Sequence, residues 1–115
     1  MGDRDVIQLI DEIKSQQLLQ ELVVQLNKDA DLSGLEVIFD TSITAERLVK
    51  QLYHALVDVM TNDFQTYLNF LYRIDLSEQK VRSIPETEVK EIAEKVTLLV
   101  LKREWQKVVF RNKSQ

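Results

Sequence analysis

The scarcity of glycine and proline limits the fold of this chain more than any other feature of its sequence. Its 115 residues contain two glycines, Gly2 and Gly34, and one proline, Pro85. These two residue types make most tight turns, so few turns and long elements are expected. A sheet protein of this length would need many turns, and we therefore predict an all-α fold. Apolar residues make up 44% of the chain, which is enough to bury a core in one domain spanning residues 1–115.

Apolar periodicity and turn signals predict an elongated bundle of three long helices plus one short helix. The long helices are expected at about 4–29, 45–74 and 85–111, and the short one at about 77–82. An extended crossover at about 31–43 should join the first two, since Leu35, Val37 and Phe39 alternate like one face of a strand. No second strand pattern follows, so we expect the crossover to lie against the helices. The alternative is a short strand that pairs with its copy in a second chain.

The helix predicted at 45–74 has one broad apolar face along its whole length. A helix of this length would be a rod of about 45 Å, whereas a compact domain of this size is only about 30 Å across. Its end should therefore protrude and need cover. The face comprises Leu48, Val49, Leu52, Tyr53, Leu56, Val59, Met60, Phe64, Tyr67, Phe70, Leu71 and Ile74.

The helices predicted at 4–29 and 85–111 change their apolar side midway. Such a helix must bend, break (as "KSQQ" at 14–17 would allow) or pack on a second chain with one half. We therefore predict a homo-oligomer, most simply a twofold dimer. The alternative is that the crossover covers the second face within one chain. The predicted interface residues are Leu98, Leu101, Trp105, Val108 and Val109.

Charge is distributed unevenly along the chain, whose net charge is −4. Residues 1–43 hold three basic and nine acidic side chains, whereas residues 102–115 hold five basic and one acidic. The basic end suggests nucleic-acid binding as an alternative function, with phosphate contacts from basic side chains around Trp105. Cations also suit a helix C-terminus, and the acidic remainder would repel a polyanion. Those candidate contacts are Lys102, Arg103, Lys107, Arg111 and Lys113.

Residue patterns that would support catalysis or metal binding are weak. The chain has no cysteine, which removes disulfides and thiolate sites and fits a reducing cytosol. The only histidine, His54, has Asp58 one turn later and is interpreted as part of a surface pair. Asp63 lies near the apolar face and is interpreted as an edge residue that reaches solvent. The acids around "NKDADLSG" lack the ligand pattern of a calcium loop.

The sequence therefore predicts a small protein that binds other macromolecules and does not catalyse a reaction. We predict no catalytic, cofactor or metal site. The N-terminus has no apolar run of signal length, and the longest one, "VTLLVL" at 96–101, is far below the roughly 20 residues that span a bilayer. We expect a cytoplasmic, self-associating interaction or structural module, with nucleic-acid binding as the alternative.

Overall fold

The computed structural model describes residues 3–113 and confirms the all-α class. The described residues form six α-helices and no strand. Their radius of gyration is 13.4 Å and their extents are 38 × 30 × 25 Å, so the rod of about 45 Å is not present. The helices are α1 Asp3–Gln16, α2 Leu19–Ser33, α3 Ala45–Asn62, α4 Phe64–Arg73, α5 Glu78–Arg82 and α6 Val89–Lys113.

The first predicted helix, 4–29, is two helices that meet at Gln17 and Leu18. Gln17 adopts a left-handed backbone with φ 56°, which ends α1 directly after "KSQ". Two separate helices can each turn their own apolar side inward. Ile13 of α1 and Leu22 of α2 are both buried in the common core. The change of apolar side in this region is therefore explained by a break in the helix.

The second predicted helix, 45–74, is also broken, at Asp63. This residue has a non-helical backbone (φ −153°, ψ 72°) and caps α4. Its carboxylate accepts hydrogen bonds from the Thr66 backbone N–H at 3.2 Å and from the Thr66 hydroxyl at 2.7 Å. Asp63 is exposed, as the edge interpretation predicted, but the prediction of one continuous helix is wrong. An N-cap aspartate satisfies a backbone N–H that the start of a new helix leaves free.

The crossover between α2 and α3 lies against the helices, as predicted. Gly34 ends α2 with φ 84°, a left-handed conformation that glycine adopts without strain. Asn27 holds the segment in place: its side-chain amide donates to the Phe39 carbonyl at 2.9 Å and accepts from the Phe39 N–H at 2.8 Å. Leu35 and Phe39 are consequently buried.

The long helix α6 is the centre of the bundle. It begins at Val89, later than the predicted residue 85, because Ser83 ends α5 instead of capping α6. It packs against α1, α2 and α3, so it is buried on several sides. No helix between residues 3 and 113 is long and apolar enough to cross a membrane.

Candidate functional site

The predicted interface face of α6 lies inside the single chain. Leu98, Leu101, Trp105 and Val108 are buried and belong to the main apolar core, while Val109 packs against that core and is partly buried. The helices α1, α2 and α3 supply the cover. The change of apolar side in α6 therefore has an explanation within one chain, and these side chains offer little surface to a second copy.

Trp105 illustrates how this face is covered. Its indole is 4% exposed, and no described residue accepts a hydrogen bond from its Nε1. With Leu9 of α1 and Lys102 it lines a shallow depression that has the carboxylates of Asp5 and Glu12 at its edge. The tryptophan therefore packs in the core and is not displayed for stacking on a base.

Three of the five candidate nucleic-acid contacts are engaged within the protein. Arg103 pairs with Asp75 at 3.3 Å, Lys107 pairs with Asp29 at 3.4 Å, and Arg111 donates to Gln25 Oε1 at 3.1 Å. Lys102 and Lys113 are exposed. The other three basic side chains thus have partners within the protein, and one of those partners, Asp29, is an acid of the N-terminal third.

A buried polar cluster, formed by Gln25, Asp29, Arg73, Glu104 and Lys107, joins α2, α4 and α6. Glu104 is completely buried and Asp29 is 1% exposed. Asp29 receives Arg73 Nε at 3.2 Å and the Gln25 side-chain amide at 2.9 Å. The Lys107 ammonium lies 3.1 Å from Glu104 and 3.4 Å from Asp29. One cation therefore bridges two buried carboxyl groups from different helices.

The pKa values of the two carboxyl groups in this cluster are shifted in opposite directions. Burial, followed by the closeness and the charge of Asp29, raises the pKa of Glu104 to about 8, against the opposing effect of Lys107. Burial also raises the pKa of Asp29, but Glu104, the hydrogen bond from Gln25, Lys107 and Arg73 together outweigh it and lower that pKa overall. At neutral pH Glu104 is therefore neutral and Asp29 is ionised.

Sequence reasoning missed this cluster, although one signal for it was present. Glu104 lies four residues after Val100 and four before Val108, both buried, so it occupies an apolar position on α6. A carboxylate there needs partners. Their identity depends on the tertiary fold, since Arg73 and Lys107 are 44 and 78 residues away from Asp29.

The other residues considered for chemistry lie apart from this cluster. His54 is exposed on α3 and contacts the Tyr53 ring, while Asp58 accepts from Asn62. Asp31 is exposed although Asp29 is buried, so the two do not share a site. No group of three or more candidate metal ligands is present among residues 3–113.

The outer side of α4 displays three large apolar side chains, which we name the α4 stripe. Phe64 is 55% exposed, Leu68 43% and Tyr72 88%. They recur every four residues and therefore lie along one side of the helix. The adjoining side of the helix is buried in the core through Tyr67, Phe70 and Leu71. Phe64 therefore lies outside the buried face on which it was predicted.

No protein-family model matches this chain, and neither a curated protein nor a solved structure does. The residues of the chain itself are therefore the basis for inferring its function. The α4 stripe offers an apolar surface to a partner, and the buried polar cluster offers a group that gains or loses a proton.

Proposed function

We propose that this protein is a non-enzymatic interaction module that binds a second copy of itself through the α4 stripe. The observation that supports the proposal is the row of Phe64, Leu68 and Tyr72 on the outside of one helix. Aromatic side chains are frequent anchors where proteins meet. Exposed apolar patches on a soluble protein mark interaction sites when they are large.

The surroundings of the stripe favour a second copy as the partner. Between the stripe residues α4 exposes Gln65 and Asn69, which are uncharged and bond to each other at 2.9 Å. An acid, Asp63, precedes the helix, and Arg73 ends it with its side chain still 44% exposed. Two copies of α4 packed antiparallel about a twofold axis would place the acidic end of each beside the basic end of the other. Such an interface is self-complementary.

The size of the stripe predicts a weak dimer that exchanges quickly. A fully exposed aromatic side chain presents about 150–250 Å², so the three partly exposed side chains present roughly 400 Å². Stable interfaces bury about 800 Å² on each partner. The dimer should therefore be populated at high protein concentration and dissociate on dilution.

Sedimentation equilibrium over a range of concentrations tests the proposal. The wild type should move from the 13.5 kDa monomer toward twice that mass, and Leu68→Glu should remain a monomer. Ile38→Glu is the matched control, because Ile38 lies in the crossover and is 88% exposed, as Tyr72 is. A wild type that stays at the monomer mass, or an Ile38→Glu variant that dissociates as readily as Leu68→Glu, would contradict the proposal.

A further inference from the structure

The buried polar cluster brings two acids together in a place that water does not reach. Glu104 of α6 and Asp29 of α2 share the ammonium of Lys107, at 3.1 and 3.4 Å. Neither oxygen of Glu104 has a hydrogen-bond partner among the described residues. Two ionised carboxylates would repel each other there, and one cation cannot satisfy both. A proton on Glu104 removes one of the two negative charges.

The same acid pair connects α4 to the rest of the bundle. Arg73, the last residue of α4, donates to Asp29 at 3.2 Å. This attachment requires Asp29 to stay in the position in which it accepts from Arg73. If Glu104 ionises, it repels the Asp29 carboxylate and draws Lys107 away from it, which displaces Asp29 from that position. We propose that the protonation of Glu104 controls how firmly α4 is attached to α2.

The other charged side chains that contact the pair or its rim are cations. Lys107, Arg73 and Arg111 are the cations of the cluster and its rim. Burial raises the pKa of Tyr67, the buried tyrosine of α4, to about 12, so it stays neutral. The helices α1 and α3 also pack on α6, but Lys14 of α1 forms its ion pair with Glu46 of α3, both largely exposed.

The direction in which pH changes the stability of the fold follows from the protons bound in the folded and unfolded states. The pKa of Glu104 is about 8 in the folded protein and 4.5 as an ordinary glutamate. Between these values the folded state holds a proton that the unfolded state has lost, so stability falls as pH rises. The contribution is complete below about 4.5 and lost above about 8. Asp29 acts at the acid end, where its lowered pKa stabilises the fold above 3.8.

Two measurements on the wild type test this proposal at concentrations where the protein is monomeric. The ¹³C shift of the Glu104 carboxyl should titrate near pH 8. Amide hydrogen exchange in α4, corrected for the intrinsic effect of pH, should accelerate above that midpoint. A Glu104 that titrates at the ordinary value of 4.5, or α4 amides whose protection is constant through the titration, would overturn it. Neither measurement depends on dimer formation, so the result can be interpreted even if the protein does not form a dimer.

Glu104→Gln is the variant that tests this pH dependence, because its side-chain amide resembles the neutral acid at every pH. The wild-type midpoint of urea unfolding should fall as the pH rises from 4.5 to about 8, and this slope with pH should vanish in Glu104→Gln. Glu21→Gln, at an exposed site on α2, should keep the wild-type slope. A Glu104→Gln variant with the full wild-type slope would contradict the proposal. If that variant does not fold, the carboxyl titration of the wild type decides whether the proposal holds.

Discussion

The C-terminal half of α6 and the helix α4 each carry a second row of apolar residues, and the two rows lie in opposite environments. Both have large apolar residues at helical spacing. On α6, Leu101 and Trp105 are buried by the other helices of the same chain, whereas on α4 Leu68 and Tyr72 face outward. The difference arises from the positions of the two helices. The helix α6 contacts α1, α2 and α3, and α4 lies at the edge against α2 and α3.

This contrast shows that an apolar face is not by itself a sign of an interface. A helix at the centre of a small bundle needs apolar residues on several sides, because it has neighbours on several sides. A helix at the edge needs only one, so a second apolar row there is unexplained by the fold. The exposed row on α4 is therefore the better indication of a partner.

The largest expected effect is that of a charge placed in the centre of α6. Leu101→Glu should destabilise the fold by about 3–5 kcal/mol, because it removes a buried side chain and leaves an unpaired carboxylate. Urea unfolding followed by circular dichroism measures this loss. Leu68→Glu on the α4 stripe is the matched control and should retain its fold. A Leu101→Glu variant that is as stable as the wild type and has lost only its association would show that α6 is the interface.

The cap of α4 should have a smaller effect. Asp63→Ala removes the side chain that accepts from the Thr66 backbone N–H, and it should cost about 1 kcal/mol. Asp11→Ala, which removes an exposed carboxylate within α1, should change stability by less than about 0.5 kcal/mol. Equal effects of the two substitutions would mean that the break at Asp63 does not depend on this cap.

Local sequence signals predicted the helical class, the short helix and the crossover, because periodicity and turn residues depend on nearby positions. The break at Asp63 was missed for a physical reason. The apolar pattern continues in phase from Leu56 through Val59 to Phe70, and neither glycine nor proline interrupts it. Only the pairing of Asp63 with Thr66, three residues later, marks the new helix start.

The sequence predicts the candidate sites less well than it predicts the helices. The exposure of Tyr72 follows from the position of α4 at the edge of the bundle, which a helical wheel does not contain. The buried polar cluster joins residues on three helices, and Asp29, Arg73 and Lys107 each resemble an ordinary surface charge in the sequence. Glu104 was the exception, because it interrupts an apolar face.

A truncation on the α4 stripe should separate association from stability. Tyr72→Ala should change the free energy of unfolding by less than about 0.5 kcal/mol, since the ring is mostly exposed. The same substitution should weaken self-association measurably in sedimentation. Chemical unfolding of one preparation gives the free energy of unfolding, and sedimentation of the same preparation gives the strength of self-association. A large loss of stability without a change in association would make Tyr72 a structural residue.

The smallest expected effect is at His54. This residue is exposed on α3, so His54→Ala should alter stability by less than about 0.5 kcal/mol. Chemical denaturation at neutral pH measures the change. A loss above about 2 kcal/mol would indicate a buried or interacting imidazole and an incorrect orientation of α3.

The most direct measurement is an isotope-filtered nuclear Overhauser experiment on an equal mixture of labelled and unlabelled protein at high concentration. It reports contacts between copies and excludes those within one copy. Because the α4 stripe is proposed as the dimer contact, signals should connect Tyr72 of one copy to Phe64 or Leu68 of the other, and Trp105 should give none. Intermolecular signals from Trp105 or Val109, without any from Tyr72, would contradict this account.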